Sequence, residues 1–217
     1  MEEKTFVDDI NRSVYDIKNE ENDSYRIKQG LTPEIVEKIS EEKHDPAWMR
    51  EFRLKSLEIY NNMQVPDWGP SIDGLNMDNI ATYVRANTNM KGDWKDVPEE
   101  IKDTFDRLGI PKAERESLAG VGAQYDSELV YHNVRKEVAD QGVVYTDMES
   151  ALTGEYADMV HEHFMKLITP QDHKFAALHG AVWSGGSFVY VPKGVNLEIP
   201  LQSYFCLLYT SPSPRDA

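Results

Sequence analysis

The sequence predicts an α+β protein in which helices occupy the first half and strands follow near the end. Two observations predict this arrangement. Up to about residue 108, apolar residues recur at helical spacing behind capping signals. From Ala181 onward the pattern changes to short runs rich in β-branched and aromatic residues, which is typical of strands.

Four helices are predicted in the first half. The first covers residues 5–17, where apolar residues recur at every third or fourth position. Thr32-Pro33-Glu34 marks the start of the second, because it offers a cap, a proline at the first helical position and an acid facing the helix dipole. Asp45-Pro46 starts the third in the same way. The fourth begins near Pro98 and ends at Gly109.

Residues 128–146 contain two short β-rich runs, Leu129–Tyr131 and Val143–Thr146. A further amphipathic helix is predicted to end at Thr169-Pro170. Its apolar stripe consists of Tyr156, Val160, Phe164 and Leu167. A strand over residues 188–191 stops at Pro192, and a second strand is predicted where apolar residues alternate strictly with others. These alternating residues are Val195, Leu197, Ile199 and Leu201.

The last twelve residues, 206–217, have neither helix nor strand periodicity. We interpret them as a non-native tail, with a disordered natural tail as the alternative. On the first interpretation the genuine gene continues past Phe205 in an alternating β pattern. Cys206 is the single cysteine, which excludes an internal disulfide and a thiolate cage for a metal within one chain.

The charge balance limits the classes of partner. With 38 acidic and 23 basic residues the chain carries a net charge of −15, which repels phosphate backbones and anionic lipid. No apolar run is long enough to span a bilayer, and the acidic N-terminus is unlike a secretory signal. We therefore expect a cytoplasmic protein that binds neither nucleic acid nor membrane.

The histidines do not suggest a metal site. His161 and His163 are two residues apart on a predicted helix, so they point to different sides of it. His173 and His179 flank a short apolar stretch, but no carboxylate or thiol stands at ligand spacing. We predict no metal ligand.

Two glycine-containing segments resemble parts of catalytic motifs. Gly120-Val121-Gly122 has only the first two glycines of a dinucleotide fingerprint, so we interpret it as a tight turn between a helix and a strand. Gly185-Gly186 lies between Ser184 and Ser187 without the Gly-x-Ser-x-Gly pattern, and we interpret it as a turn between two short strands. A hydrolase that uses Ser184 or Ser187 as its nucleophile ranks third among the three hypotheses for the function of this chain. No catalytic residue is predicted, and the cofactor-binding residues are unknown.

Three segments together resemble one family, the SufB-type iron–sulfur cluster assembly scaffolds of the SufB/SufD family. They are residues 45–55 (DPAWMREFRLK), residues 118–133 (LAGVGAQYDSELVYHN) and residues 174–202, which include AVWSGGSFVYVPKGV. The resemblance runs through residues 1 to 205.

The resemblance implies a fold and a function. Members have an N-terminal helical region, a right-handed parallel β-helix and a C-terminal helical region that docks an ATPase. The chain then divides into a mainly helical region (1–127), a mixed α/β region entering a truncated β-helix (128–205) and the non-native tail (206–217). The implied partners are a SufD-like homologous subunit, a SufC-like ABC ATPase, and a cysteine desulfurase or sulfur-transfer protein.

The family pattern also implies what this chain lacks. In the family, the sulfur-accepting cysteine and the cluster partners lie in the later β-helix, so Cys206 receives no sulfur-handling role. The resemblance implies a scaffold subunit rather than an enzyme, with ATPase activity in the SufC partner. The resemblance implies an iron–sulfur cluster in the full-length complex, with reduced flavin as a second candidate cofactor there. No cofactor is expected in this fragment. The alternative is a stand-alone acidic interaction module without catalysis.

Overall fold

A computed structural model describes residues 23–69, 71–86, 91, 93–107, 120–125 and 127–206. The first predicted helix, over residues 5–17, lies outside this part of the chain, as do residues 207–217 of the predicted tail. The described elements form an α+β arrangement of helices and three small sheets.

Three of the predicted helices are confirmed. They are α1 (Pro33–Glu42), α2 (Ala47–Asn62) and α3 (Glu99–Arg107). The hydroxyl of Thr32 accepts a hydrogen bond from the N–H of Ile35 and so caps α1. The signals that predicted these helices are local, and each acts within one turn of the chain.

The second half contains four further helices among the described residues, namely α4 (Lys136–Ala139), α5 (Met148–Thr153), α6 (Ala157–His163) and α7 (Lys174–Val182). Helix α7 packs along α1 and α2, where Val36, Leu57 and Ala181 form one buried cluster. At Gly180 of α7 an added Cβ would lie 2.6 Å from the Ser56 hydroxyl oxygen of α2. The two helices therefore touch at a position that only glycine fits.

The prediction that strands begin at Ala181 is wrong, because Ala181 belongs to α7 and the following strand begins only at Ser187. Ala176, Ala177, Gly180 and Ala181 are all buried. These residues lie on one side of the helix, but alanine and glycine contrast only weakly with polar residues, so the helical periodicity is faint in the sequence.

The largest sheet has the strand order β4-β3-β7, formed by β3 (Gly120–Tyr125), β4 (Glu128–Val134) and β7 (Leu201–Cys206). Strand β3 pairs antiparallel with β4 and parallel with β7. The predicted turn at Gly120-Val121-Gly122 is therefore wrong, since these residues lie in the central strand. Pairing on both edges, together with burial of Val121 and Ala123, outweighs the low strand preference of glycine.

Two smaller sheets complete the described strands. The first pairs β1 (Asp23–Arg26) with β2 (Val84–Ala86), and the second pairs β5 (Val144–Asp147) with β6 (Ser187–Tyr190). Strands β4 and β5 confirm the β-rich runs predicted between residues 128 and 146, and β6 confirms the run that stops at Pro192. The right-handed parallel β-helix stays an expectation.

Two further predictions are corrected near the end. Helix α6 ends at His163 and the non-glycine residue Met165 has φ +48°, so Leu167 leaves the predicted stripe and is exposed. Residues 191–200 contain no strand. Val195, Leu197 and Leu201 instead pack irregularly against Val138 and Val143, because Pro192, Gly194 (φ +88°) and Pro200 interrupt the extended chain. The strand comes later, as β7, and runs past the predicted break at Phe205.

Candidate functional site: the buried contact beneath the double-glycine turn

A buried arginine joins α2 to the end of α7. The Nε of Arg53 donates to Oδ2 of Asp45 over 2.6 Å, and neither side chain is exposed to solvent. Its Nη1 donates to the carbonyl oxygen of Trp183 over 2.8 Å. The guanidinium carbon lies 4.7 Å from the centroid of the Trp183 ring, which is close enough for a cation–π contact.

The ion pair is what keeps this charge tolerable in the interior. Burial lowers the pKa of Arg53, whereas the hydrogen bond and the negative charge of Asp45 oppose that shift. Guanidinium groups stay protonated in proteins, so the charge must be balanced where it lies. Removing either partner would leave an uncompensated buried charge.

The indole of Trp183 fixes the same region from the other side. Its Nε1 donates to the sulfur of Met49 over 3.3 Å. Both residues belong to a core cluster that also contains Ala151, Leu152 and Val160. Trp183 thus connects α2, α5 and α6 at one point.

The double-glycine turn follows directly after Trp183. Gly185 and Gly186 have φ angles of +65° and +101°, a region that favours glycine. The Gly185 N–H donates to Oε1 of Glu149 over 2.7 Å, and the Gly186 N–H donates to Oε1 of Gln124 over 3.1 Å. The same Glu149 oxygen lies 2.8 Å from Nζ of the buried Lys43. Side chains from β3 and α5 therefore hold both amides of the turn.

A chain of hydroxyls continues from the turn to β7. The Tyr145 hydroxyl lies 2.9 Å from the carbonyl oxygen of Gln202 and 2.6 Å from the hydroxyl of Ser203, which in turn lies 2.9 Å from the hydroxyl of Ser187. A carbonyl oxygen only accepts, so Tyr145 donates to Gln202. Ser203 must then donate to Tyr145, and Ser187 to Ser203. This directed chain connects the β5–β6 sheet to β7.

The serines weighed as nucleophiles have other surroundings. Ser187 is bonded to another hydroxyl rather than to an imidazole, and Ser184 is half-buried on the turn. Without a base to take its proton, a serine hydroxyl is a weak nucleophile. The described residues therefore give no support to the hydrolase alternative.

The histidines are placed at separate points. His161 stacks on Trp48, with ring centroids 4.3 Å apart, and His163 is exposed. The Nδ1 of His173 accepts the N–H groups of Phe175 and Ala176 and so caps α7. Burial and the nearby charge of Arg53 lower the pKa of His179. Within the described residues, no group of three or more His, Cys, Asp or Glu side chains is placed to hold a metal ion.

The residues that form this contact carry no familiar catalytic chemistry, so no sequence motif pointed to their role. Each of the three segments singled out in the sequence contributes to the contact: Arg53 from the first, Gln124 from the second, and Trp183 with the glycine turn from the third. Glu149 lies outside all three, and its sequence surroundings gave no signal. The arrangement holds a helical layer against two sheets, and its described side chains offer positioning rather than catalysis.

Comparison with known proteins identifies the family of this sequence. Residues 35–203 match the family model of the SufBD protein N-terminal region. The chain belongs to this family. The family resemblance predicted from the three segments is thereby confirmed.

Curated members of the SufBD family show how far the similarity extends. An iron-sulfur cluster assembly protein SufB of Bacillus subtilis is 53% identical over 197 residues, which cover 91% of this chain and 42% of the relative. Iron-sulfur cluster assembly SufBD family proteins of Staphylococcus haemolyticus and Staphylococcus epidermidis are 48% and 47% identical with the same coverage. The chain thus spans about two fifths of the length of these relatives.

No helix in the described part of the chain is long and apolar enough to cross a bilayer.

Proposed function

We propose that this chain is the N-terminal part of a SufB-type scaffold subunit for iron–sulfur cluster assembly. The observation that carries the proposal is the 53% identity to an iron-sulfur cluster assembly protein SufB over 197 residues. In this proposal the chain works in a complex with a SufC-like ATPase and a SufD-like subunit. It is a scaffold without catalytic activity of its own, and sulfur reaches the complex from a cysteine desulfurase system.

The role of the described residues in this proposal is to carry the rest of the subunit. The contact among Arg53, Trp183 and the glycine turn joins the helical layer to the sheet that contains β7. A rigid junction of this kind fixes the direction in which further strands would continue. The cluster is then built on the part of the subunit that corresponds to the remaining length of the relatives.

The described residues do not fit an iron–sulfur cluster as ligands, because they include no group of metal-binding side chains. We therefore propose that the chain alone cannot assemble a cluster. Cys206 has no sulfur-accepting role in this proposal, so a cysteine desulfurase should transfer no persulfide to it. Persulfide transfer to the 217-residue chain that Cys206→Ser abolishes would contradict this.

A chimera tests the proposal. Residues 1–205 of this chain are joined to the remaining C-terminal part of the Bacillus subtilis relative, and the chimera is purified with SufC and SufD partners. Anaerobic incubation with iron and a cysteine desulfurase should give the absorption of an iron–sulfur cluster and its transfer to an apo-protein. The chain alone should give neither.

Two outcomes would overturn the proposal. The first is a folded chimera that binds SufC and SufD but never acquires a cluster. The second is cluster assembly by the 217-residue chain alone. The chimera contains only residues 1–205 of this chain and therefore lacks Cys206. The Cys206→Ser substitution is tested in the 217-residue chain instead, by persulfide labelling.

A further inference from the structure

The connection between α2 and β2 contains an exposed turn. The N–H of Leu75 donates to the carbonyl oxygen of Ile72 over 2.8 Å. This hydrogen bond closes a β-turn whose two central residues are Asp73 and Gly74. Both central residues are exposed, and neither belongs to a helix or a strand. The peptide bond between them is therefore open to solvent.

The two central residues form a reactive pair. Asp73-Gly74 is the one position in the sequence where a glycine follows an aspartate or an asparagine. Glycine has no Cβ, so the side chain of the preceding residue can approach the glycine nitrogen closely. An aspartate in this position can close a succinimide ring between its own carboxyl carbon and that nitrogen.

Neither reacting group is held elsewhere. Among the described residues, the Asp73 carboxylate makes no hydrogen bond or ion pair, and the Gly74 N–H has no acceptor. The backbone N–H of Asp73 donates to the hydroxyl oxygen of Ser71 over 3.3 Å, which leaves its carboxylate free. A Cβ added at Gly74 would meet no atom within 4 Å apart from its chain neighbours. The Asp73 carboxyl group can therefore turn toward the nitrogen without losing a contact.

Other aspartates of the chain lack this combination. Asp172 is followed by no glycine, and its carboxylate accepts hydrogen bonds from the N–H and the hydroxyl of Thr169. Asp67 lies in the same connection as Asp73 and is also exposed, but the bulky Trp68 follows it. Asp67 therefore provides an internal comparison for the effect of the following glycine.

We propose that Asp73 is a site of spontaneous isomerisation to isoaspartate. The nitrogen of Gly74 bonds to the protonated carboxyl group of Asp73, whose hydroxyl leaves as water with the proton of that nitrogen. The two groups are neighbours in one chain, so their reaction is intramolecular. Water then opens the succinimide ring. Cleavage at the side-chain carbonyl restores aspartate, whereas cleavage at the main-chain carbonyl leaves Gly74 attached through the former side chain. One water leaves and one returns, so no oxidant or reductant is needed.

The product can be recognised by its chemistry. An isoaspartyl residue has a free main-chain carboxylate and one additional methylene carbon in the backbone. A carboxyl methyltransferase specific for isoaspartyl residues transfers a methyl group from the sulfonium of S-adenosylmethionine to this carboxylate and leaves ordinary aspartate unmodified. The exposure of the turn makes the product accessible to such an enzyme.

Incubation of the full 217-residue chain in water labelled with heavy oxygen tests the proposal. Digestion with chymotrypsin cleaves after Trp68 and so separates Asp67 from Asp73. The peptide that contains Asp73 should appear as two isomers, take up labelled oxygen and become methylated by the isoaspartyl methyltransferase. The peptide that contains Asp67 should do none of these. The folded chain should react at a rate within about fivefold of the chain unfolded in urea, because opening of an exposed turn costs little.

Three variants sharpen the test. Gly74→Ala should keep the fold, since the added Cβ meets open space, but should slow the reaction at least about fivefold by crowding the attacking nitrogen. Asp73→Glu should stop the reaction, because its longer side chain would have to close a larger ring. Asp73→Asn should accelerate it, because ammonia leaves from a carboxamide more readily than oxide leaves from a carboxylate.

Two results would overturn the proposal. One is an unmodified Asp73 in the folded chain under conditions in which the chain unfolded in urea isomerises there, because the folded turn would then hold the two groups apart. The other is isomerisation at the same rate at Asp67 and Asp73, because the following glycine would then have no effect. Circular dichroism verifies that each variant is folded. If Gly74→Ala unfolds, Asp73→Glu and Asp73→Asn still test the reaction from the side of the carboxyl group.

Discussion

The guanidinium of Arg53 and the carboxylate of Asp45 lie 2.6 Å apart, and both side chains are completely shielded from water. The pair stands at the base of α2, and Arg53 also reaches the carbonyl oxygen of Trp183 at the end of α7. A single side chain therefore serves as the connection between distant parts of the sequence.

Breaking this pair should be strongly destabilising. We expect Arg53→Met to lower the free energy of unfolding by about 3 to 5 kcal/mol, because it leaves Asp45 buried without its counter-charge. Denaturation in urea measures the change. Arg50→Met is the matched control, since the Arg50–Glu37 pair is exposed and should contribute less than about 1 kcal/mol. Equal effects of the two substitutions would contradict the assigned role of Arg53.

The glycine turn gives a second prediction. A Cβ added at Gly185 would lie 2.4 Å from Oε1 of Gln124, which could move away only by giving up its bond to the Gly186 N–H. We expect Gly185→Ala to cost about 1 to 3 kcal/mol more than Gly194→Ala. Gly194 also has a positive φ, but an added Cβ there would meet open space. The thermal unfolding midpoints of the two variants provide the comparison.

Tyr145→Phe removes the donor that starts the hydroxyl chain. The carbonyl oxygen of Gln202 and the hydroxyl of Ser203 each lose a partner, so β7 is held less firmly to the β5–β6 sheet. We expect a loss of about 1 to 2 kcal/mol and faster amide hydrogen exchange in β7. Tyr190→Phe is the control, because Tyr190 lies on β6 but does not belong to the chain of hydroxyl groups. Unchanged exchange in β7 would count against the proposed connection.

The stability of the chain should fall in mild acid. Burial, and then the charge of Arg53, lowers the pKa of His179 below its ordinary value of 6.5. The folded state then binds fewer protons than the unfolded state, so stability decreases as the pH drops below about 6.5 and levels off below the lowered pKa. Unfolding measured in urea between about pH 8 and 5 should show this slope. The slope should be smaller in His179→Gln than in the unsubstituted chain.

Local signals predicted three of the four first-half helices correctly, and the fourth lies outside the described residues. The Thr32 hydroxyl caps a neighbouring backbone N–H, and Pro46 and Pro98 directly precede α2 and α3, so these signals could be read without knowing the rest of the fold. Helix α7 and strand β3 could not be predicted from local signals, because their conformation depends on distant partners. Gly180 needs α2 beside it, and the β3 residues need strands on both edges.

The candidate site shows the same division. The sequence directed attention to its histidines and serines because those side chains carry familiar chemistry. The structure places the decisive contacts at Arg53, Trp183 and Gln124, whose importance depends on being brought together. The family resemblance did mark all three segments, but no local pattern indicated that they meet.

The long reach of Arg53 has a consequence for synthesis. Its two carbonyl partners lie 128 and 130 positions later in the chain. At typical translation rates, roughly 6 to 26 seconds pass between the appearance of Arg53 and that of Trp183. Throughout that interval α2 has an apolar surface and an unshielded ion pair with nothing to cover them. The nascent chain should therefore depend on chaperones until α7 has been made, and substitutions in α7 should reduce the yield of folded protein more than the stability of the molecules that do fold.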